Sequence, residues 1–275
     1  MFPSESAWVR TQSGCRLHYR RWGTGKRGCV LLHGHGEGSY VWDHLASCLN
    51  GFVILAPDLP GHGDSDWYPD GEYDLSNYVR DVRIVIDTFE LDTIRLVGHS
   101  LGANVAMRIA AVDRRIDKLV LVDFGPGIDS GIRRHTRERF KEQFRKYDHF
   151  SEYEGWLTST RPLLSPRVVA DVARSVLRQR ADGPLEMKCD PLLSRDHNNV
   201  VSSDCEILSV LRHIRCPTLV VRGAGSAVLS SSATTRMLKC LSTAHACTVA
   251  KAGHAVMLDN PDEFAIVVKT FVESE

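Results

Sequence analysis

The sequence predicts an α/β fold in which a mostly parallel sheet carries helices on both of its faces. Three observations support this prediction. Short, continuously apolar runs, typical of strands buried on both faces, alternate with helix-forming runs. Glycine-rich polar loops follow several of the apolar runs. The chain has 275 residues, which is long enough for one large domain of this kind with an insertion.

The composition is that of an ordinary globular protein. Charged residues make up 25% of the chain and the formal net charge is zero, so there is no general electrostatic case for binding nucleic acid or a membrane surface. No apolar run is long enough to span a membrane, and the first residues lack the basic and apolar regions of a signal peptide. The eight cysteines form no Cys-x-x-Cys pair, so we expect reduced thiols, a cytoplasmic location, and neither a metal site nor a cofactor.

Through the first 124 residues, two predicted strands are followed by an alternation of strands and helices that begins with the third strand. The strands are predicted at residues 7–11, 16–22, 29–32, 52–56, 94–97 and 118–122, with a turn at Ser13-Gly14 joining the first two. The helices are predicted at residues 41–49, 74–89 and 103–111. Asp74 is placed to cap the second helix, whose apolar residues recur on one face.

The pattern changes after residue 124. Buried strand runs disappear, charges become denser, and helices are predicted at residues 133–148, 152–157 and 166–180. We interpret residues 125–203 as a helical lid over the strand ends, inserted into a core formed by residues 1–124 and 204–275. The alternation then resumes, with strands at 217–222 and 247–249 and helices at 231–240 and from 261 onward.

Residues 98–102 read Gly-His-Ser-Leu-Gly and stand between a predicted strand and a predicted helix. Two glycines, which lack a Cβ, allow a sharp strand–turn–helix bend with Ser100 at its apex. The backbone amide of Leu101 then points to where an oxyanion would form. A Gly-x-Ser-x-Gly motif also occurs in ordinary loops, so residues elsewhere must decide its meaning.

Three polar side chains fall at or just after the carboxyl ends of predicted strands: His33, Ser100 and Asp123. In parallel sheets of this kind, ligands bind beyond the carboxyl ends of the strands. Their convergence at one edge of the sheet is a stronger indication of a functional site than any single motif.

Several motifs together resemble those of the α/β-hydrolase family, in its order and at its usual spacing. They are His-Gly-His-Gly at 33–36, Asp-Leu-Pro-Gly-His-Gly-Asp-Ser at 58–65, Gly-His-Ser-Leu-Gly at 98–102, and Gly-His at 253–254 before Asn-Pro-Asp-Glu-Phe at 260–264. The resemblance covers the whole chain and implies an eight-stranded-type sheet with a variable lid. It also implies Ser100 as the nucleophile and His254 as the general base that activates it.

The acid of the implied triad departs from the family's common pattern. That pattern places an Asp after the strand predicted at 217–222, where residues 222–229 here contain no carboxylate. Either the triad lacks an acid, or the acid comes from another strand end. We favour Asp123, because relatives such as the haloalkane dehalogenases place their acid at the equivalent strand end. A structural turn is the alternative interpretation of Asp123.

The remaining site residues are assigned by position. The resemblance implies an oxyanion hole formed by the backbone N–H groups of His35 and Leu101. Candidate substrate-pocket residues are Trp42, His99 and Phe124. Ordinary packing is an equal alternative for Trp42, and packing under the nucleophile is the favoured interpretation of His99.

The first predicted lid helix is strongly basic. Its cations are Arg133, Arg134, Arg137, Arg139, Lys141, Arg145 and Lys146. With Phe140 and Phe144 one turn apart, the segment is expected to be an amphipathic helix with a solvated basic face. A docking surface for an acidic acyl carrier protein is the less favoured interpretation.

The sequence favours a serine hydrolase that cleaves a carboxylic ester or thioester through an acyl-enzyme, acting on a small-molecule acyl substrate. An acyltransferase and a carbon–carbon bond hydrolase on the same triad are open alternatives. Dehalogenase and epoxide hydrolase activities are disfavoured, since those relatives carry Asp in place of Ser100. A non-enzymatic ligand receptor is the alternative from a different class, because residues 222–229 lack the common acid.

Overall fold

The structure, a computed structural model, describes residues 4–12, 14–179, 183–195 and 202–274. Its strands are β1 (Glu5–Arg10), β2 (Arg16–Trp22), β3 (Arg27–Leu32), β4 (Val53–Pro57), β5 (Thr93–His99), β6 (Ile116–Val122), β7 (Leu177–Gln179), β8 (Leu185–Met187), β9 (Thr218–Gly223) and β10 (Ala244–Val249). Ser13, part of the predicted first turn, lies outside the described residues, while Gly14 has φ +87° and donates its N–H to the carbonyl of Thr11.

Eight strands form one sheet in the order β1-β2-β4-β3-β5-β6-β9-β10. The β1–β2 and β2–β4 pairs are antiparallel, and all other neighbours in this sheet are parallel. The central strands are buried almost throughout, as their continuous apolar sequences predict. The prediction of a mostly parallel α/β sheet is therefore confirmed.

The helices are α1 (Asp43–Cys48), α2 (Leu75–Thr88), α3 (Leu101–Ala110), α4 (Ser130–Glu142), α5 (Phe150–Thr160), α6 (Pro166–Val176), α7 (Asp204–Leu211), α8 (Ser231–Leu238), α9 (Val256–Asp259) and α10 (Pro261–Glu273). Short 3₁₀ turns lie at Ser39–Trp42 and Pro191–Ser194. The expected cap on α2 is present, since the side chain of Asp74 accepts a hydrogen bond from the N–H of Asn77. Within the described residues, no helix combines the length and apolar character that crossing a bilayer requires.

The segment between β6 and β9 contains helices α4, α5 and α6, but two predictions within it are wrong. The helix predicted at 133–148 ends at Glu142, and Tyr147 beyond it exchanges backbone hydrogen bonds with Leu185. The helix predicted at 166–180 ends at Val176, and the chain continues as β7, which pairs with β8 in a small antiparallel hairpin. Position 180 lies outside the described residues. Both helices end before residues whose backbone pairs with β8, a contact that helical periodicity does not report.

Among the contacts of this segment with loops at the strand ends of the large sheet, two involve the loops of His35 and Gly253. The ring of Phe140 in α4 lies 4.4 Å from the ring of His35, measured between centroids. A Cβ on Gly253 would lie 3.8 Å from Leu163, in the connection between α5 and α6. Residues between β6 and β9 therefore lie close to the loop of His35 and to the loop of His254, whose ring is hydrogen-bonded to Ser100.

Candidate active site

Ser100 occupies a strained bend between β5 and α3, with φ 51° and ψ −114°. Residues other than glycine rarely adopt a positive φ, so the surrounding structure must hold this conformation. A Cβ on Gly98 would lie 2.4 Å from the carbonyl oxygen of Gly102, and a Cβ on Gly102 would lie 2.2 Å from that of Leu32. Both glycines are therefore required for the bend to close against β3.

The structure brings Ser100, His254 and Asp123 into one hydrogen-bonded chain. Oγ of Ser100 lies 3.1 Å from Nε2 of His254, and Nδ1 of His254 lies 2.8 Å from Oδ2 of Asp123. Both distances are within hydrogen-bonding range. The side chain of Asp123 is fully buried, whereas the imidazole of His254 keeps about a third of its surface exposed. This arrangement fits a nucleophile, a base and an orienting acid.

The carboxylate of Asp123 has further partners in the loop that follows β9. Its Oδ1 accepts a hydrogen bond from the N–H of Gly223 at 3.0 Å, and its Oδ2 accepts one from the hydroxyl of Ser226. The loop that carries the acid in the common family pattern here supplies donors to an acid on the neighbouring strand. Ser226 was missed from the sequence, since a lone serine in a polar loop carries no signal by itself.

The predicted oxyanion-hole residues lie at the same edge of the sheet. Leu101 is the first residue of α3, where a backbone N–H has no partner within the helix. Because Gly102 packs directly against the carbonyl groups of Leu32 and His33, the loop containing His35 lies beside the start of α3. Burial, together with the nearby His33, lowers the pKa of the His35 side chain to about 4, so its imidazole is neutral at pH 7.

A second His–carboxylate pair, Glu37 with His99, lies directly under the first. Nδ1 of His99 lies 2.9 Å from Oε2 of Glu37, and Nε2 of His99 lies 2.9 Å from the carbonyl oxygen of His254. The sequence assigned no role to Glu37. Its position four residues after His33, in a strand-end loop, was the available signal.

The candidate pocket residues have different outcomes. Both ring nitrogens of His99 are bonded within the protein and the residue is 1% exposed, so the pocket role is corrected to the packing role favoured for it. Trp42 is fully buried and its ring packs 6.3 Å from that of Phe264 in α10, which is the contact of a core residue. We correct its pocket assignment accordingly. Phe124 is 8% exposed directly after Asp123, and its pocket role stays a prediction.

Within the described ranges, His18, Asp58 and Asp64 have side-chain ligand atoms close enough together to hold a metal ion. Internal contacts occupy this group. His18 is hydrogen-bonded to Asp58 at 2.7 Å, Asp58 also accepts from backbone N–H groups, and the ammonium of Lys188 lies 2.9 Å from Asp64. These contacts indicate a structural role, in which the bonds of Asp58 to His18 and to backbone N–H groups fix the loop after β4.

The chain resembles known proteins over different lengths. Uncharacterised proteins from Mycobacterium bovis and Mycobacterium tuberculosis are 36% identical over 118 residues, or 42% of this chain. The match covers 34% of those proteins, so this chain spans about a third of their length. An esterase from Mycobacterium tuberculosis is 26% identical over 275 residues, covering 96% of this chain and 89% of the esterase.

Solved structures share the fold. The crystal structure of E-2-(acetamidomethylene)succinate hydrolase superimposes with a TM-score of 0.87 at 24% identity, covering 98% of this chain and 100% of that one. A thioesterase domain from the curacin biosynthetic pathway has a TM-score of 0.82 at 22% identity, with coverages of 99% and 100%. The model of the alpha/beta hydrolase family matches residues 29–267. On this match, together with the sheet order and the bend at Ser100, the chain belongs to the alpha/beta hydrolase family.

Proposed function

We propose that this protein is a serine hydrolase that cleaves a carboxylic ester or thioester through an acyl-enzyme on Ser100. The observation that carries the proposal is the hydrogen-bonded chain from Oγ of Ser100 through His254 to Asp123. A serine hydroxyl is a weak nucleophile near neutral pH unless an adjacent base takes its proton. His254 is that base, and the buried carboxylate of Asp123 holds its imidazole in the required tautomer.

The proposed reaction has two halves. In the first, Oγ of Ser100 attacks the acyl carbon while Nε2 of His254 takes the hydroxyl proton, and the same imidazolium then protonates the departing alcohol or thiol. In the second, His254 takes a proton from water, the hydroxide attacks the acyl carbon, and Ser100 leaves with its proton restored. The N–H groups of Leu101 and His35 stabilise the negative oxygen in both halves.

The relatives support the hydrolase class. The protein that aligns along almost the whole chain at 26% identity is named an esterase, and the structural neighbours include a hydrolase and a thioesterase domain. The site favours an enzyme over a ligand receptor, because the carboxylate that residues 222–229 lack is supplied by Asp123. An acyltransferase would use the same acyl-enzyme with another acceptor in place of water.

The insertion is proposed to act as a lid over a small-molecule acyl substrate. Its support is the packing of Phe140 on His35 and the closeness of Leu163 to Gly253, the residue before His254. A role of the basic helix in docking an acidic carrier protein has less support. Arg133 and Arg139 bind carbonyl groups of the chain and Arg145 stacks over Tyr147, so these cations face their own protein.

A fluorophosphonate probe tests the proposed nucleophile. We expect the wild-type protein to be labelled at Ser100 and to hydrolyse p-nitrophenyl esters. Both the labelling and the hydrolysis should be lost in Ser100→Ala. Ser47→Ala, which removes an exposed hydroxyl from α1, is the matched control and should label as the wild type does. Labelling of Ser100→Ala to the wild-type extent would contradict the proposal.

A further inference from the structure

We propose that Glu37 holds His99 as an imidazolium, and that this charged pair positions His254 for catalysis. The inference rests on the proposed function, because it assigns a positioning role at the same site. In the described part of the chain, the side chains of Glu37 and His99 make no hydrogen bond to the hydroxyl of Ser100, which is bonded to His254. Their effect on the reaction passes through the backbone of His254 and through the loop that contains His35.

The charge on His99 follows from what its two nitrogens face. Nδ1 faces the carboxylate of Glu37 and Nε2 faces the carbonyl oxygen of His254, each at 2.9 Å. The carbonyl oxygen can only accept, and Oε2 of Glu37, which already accepts the N–H of Gly34, belongs to a carboxyl whose pKa is held below its ordinary value despite burial, chiefly by His99. Each nitrogen must therefore carry a proton to form its hydrogen bond. An imidazole with two N–H groups is a cation. A neutral ring would direct one lone pair at an oxygen lone pair.

The surroundings compensate this buried charge. The side chains of His99 and Glu37 are 2% and 5% exposed, and Oε2 of Glu37 also accepts the N–H of Gly34 at 2.9 Å. Burial opposes the charge on His99, but the Glu37 carboxylate outweighs it, so the pKa of His99 is raised above its ordinary value. The titratable or charged side chains that interact electrostatically with Glu37 or His99 are those of Asp123, His33, His35, Tyr40, Asp259 and Arg161.

The pair joins three segments that must be aligned for the reaction. Glu37 belongs to the loop after β3, His99 ends β5 immediately before the nucleophile, and His254 follows β10. A Cβ on Gly34 would lie 2.7 Å from Nδ1 of His99, so the loop and the ring are in close contact. The rings of His99 and His254 are 4.7 Å apart. Loss of the Nε2 hydrogen bond would release the backbone that carries the catalytic imidazole.

The protonation of His99 is expected to govern the alkaline side of the pH dependence of kcat. In the wild type, the raised pKa of His99 keeps its Nε2–H at neutral pH, and activity declines as pH rises through that value. In the wild type the Glu37 carboxylate holds the last proton of His99 on Nδ1, whereas without that carboxylate a neutral ring keeps its proton on Nε2, so the decline must be lost. A glutamine at position 99 donates an amide N–H without titrating, so this decline must disappear.

Kinetics of three variants test the positioning role, with Ser100→Ala as the blank for uncatalysed hydrolysis. We expect Glu37→Gln to abolish the alkaline limb of kcat, because the introduced amide donates its N–H to Nδ1 and leaves the proton of neutral His99 on Nε2. We expect His99→Gln to lower kcat about tenfold at neutral pH, within the ~10²-fold that a small misplacement can cost, and to abolish that limb. His18→Gln breaks a different buried His–carboxylate pair, that of His18 with Asp58, and should leave the alkaline limb in place.

Nitrogen NMR of histidine-labelled protein tests the charge without any activity. The His99 signals are assigned by their loss in His99→Gln, and both nitrogens are expected to be protonated at pH 7 in the wild type and in Ser100→Ala. A single protonated nitrogen, or an alkaline limb unmoved in Glu37→Gln and His99→Gln, would overturn the inference. Absence of esterase activity in a wild type whose His99 is doubly protonated would contradict the proposed function and leave the charged pair standing.

Discussion

Ser226 and His254 donate hydrogen bonds to the same oxygen, Oδ2 of Asp123. The acid therefore sits between the base that it orients and a hydroxyl from the neighbouring strand end. With the N–H of Gly223 on Oδ1, both carboxylate oxygens are fixed. A carboxylate held in this way keeps one orientation toward the imidazole.

The hydroxyl of Ser226 is expected to support catalysis through Asp123. Ser226→Ala removes the hydroxyl that donates to the charged carboxylate of Asp123. Hydrogen bonds to charged groups are worth about 1.5–3 kcal/mol, so we expect kcat to fall by about tenfold or more. Ser231→Ala, on the exposed start of α8, is the control and should keep the wild-type kcat. Equal rates for both variants would show that Ser226 does not orient the acid.

Asp123 itself is expected to have a far larger effect. Asp123→Asn keeps the size of the side chain but removes the charge, and its amide favours the wrong tautomer of His254. Turnover should fall by about 10⁴-fold, as in other triads treated in this way. Steady-state kinetics on a p-nitrophenyl ester measure the loss. A decrease of only a few-fold would mean that another group serves as the acid.

The bend at Ser100 predicts opposite effects for two glycine substitutions. Gly102→Ala would place a methyl group 2.2 Å from the carbonyl oxygen of Leu32, so we expect it to disrupt the fold at the site. Gly155→Ala, in α5, meets nothing within 4 Å and should raise the free energy of unfolding by about 1 kcal/mol. Urea unfolding of both variants measures this difference, and comparable stabilities would contradict the packing described for the bend.

The Glu37–His99 pair predicts a pH-dependent contribution to stability. Glu37→Ala removes the carboxylate that compensates the charge of His99, so the buried ring must give up its proton on folding, which should cost about 3 kcal/mol at pH 6. The pKa of His99 is raised on folding, so its contribution is complete below its unfolded value of 6.5 and is lost as pH rises through the folded value. Urea unfolding from pH 6 to 9 should therefore show the difference between wild type and variant shrinking. A constant difference would indicate an uncharged His99.

The contact between Phe140 and His35 predicts a kinetic effect from the insertion. Phe140→Leu keeps an apolar side chain but loses the ring that packs 4.4 Å from the imidazole of His35. If the insertion closes over substrate, kcat/KM should fall by about tenfold. Phe150→Leu, at the exposed start of α5, is the matched control. Identical kcat/KM values for the two variants would argue against a lid.

The sequence predicted those features that depend on local pattern. Continuous apolar runs predicted the central strands, and Asp74 predicted the start of α2, because burial and capping act over a few neighbouring residues. The same periodicity misplaced the ends of α4 and α6, where distant backbone groups pair, as between Tyr147 and Leu185.

The site was predicted in the same uneven way. The position of Asp123 at a strand end made it a candidate acid, and the fold brings it to His254. Its support by Ser226 and the pairing of Glu37 with His99 depend on which loops the sheet order places side by side. No local pattern reports that order, so both contacts needed the three-dimensional structure.

Trapping the acyl-enzyme tests the central claim most directly. The protein is mixed with an excess of an activated ester, quenched in acid within the first turnovers, and mapped by peptide mass spectrometry. The account predicts one acyl group, attached to Oγ of Ser100, and none in Ser100→Ala or His254→Ala. Continued ester turnover by the wild type and by Ser100→Ala, with no acyl group on residue 100, would contradict it.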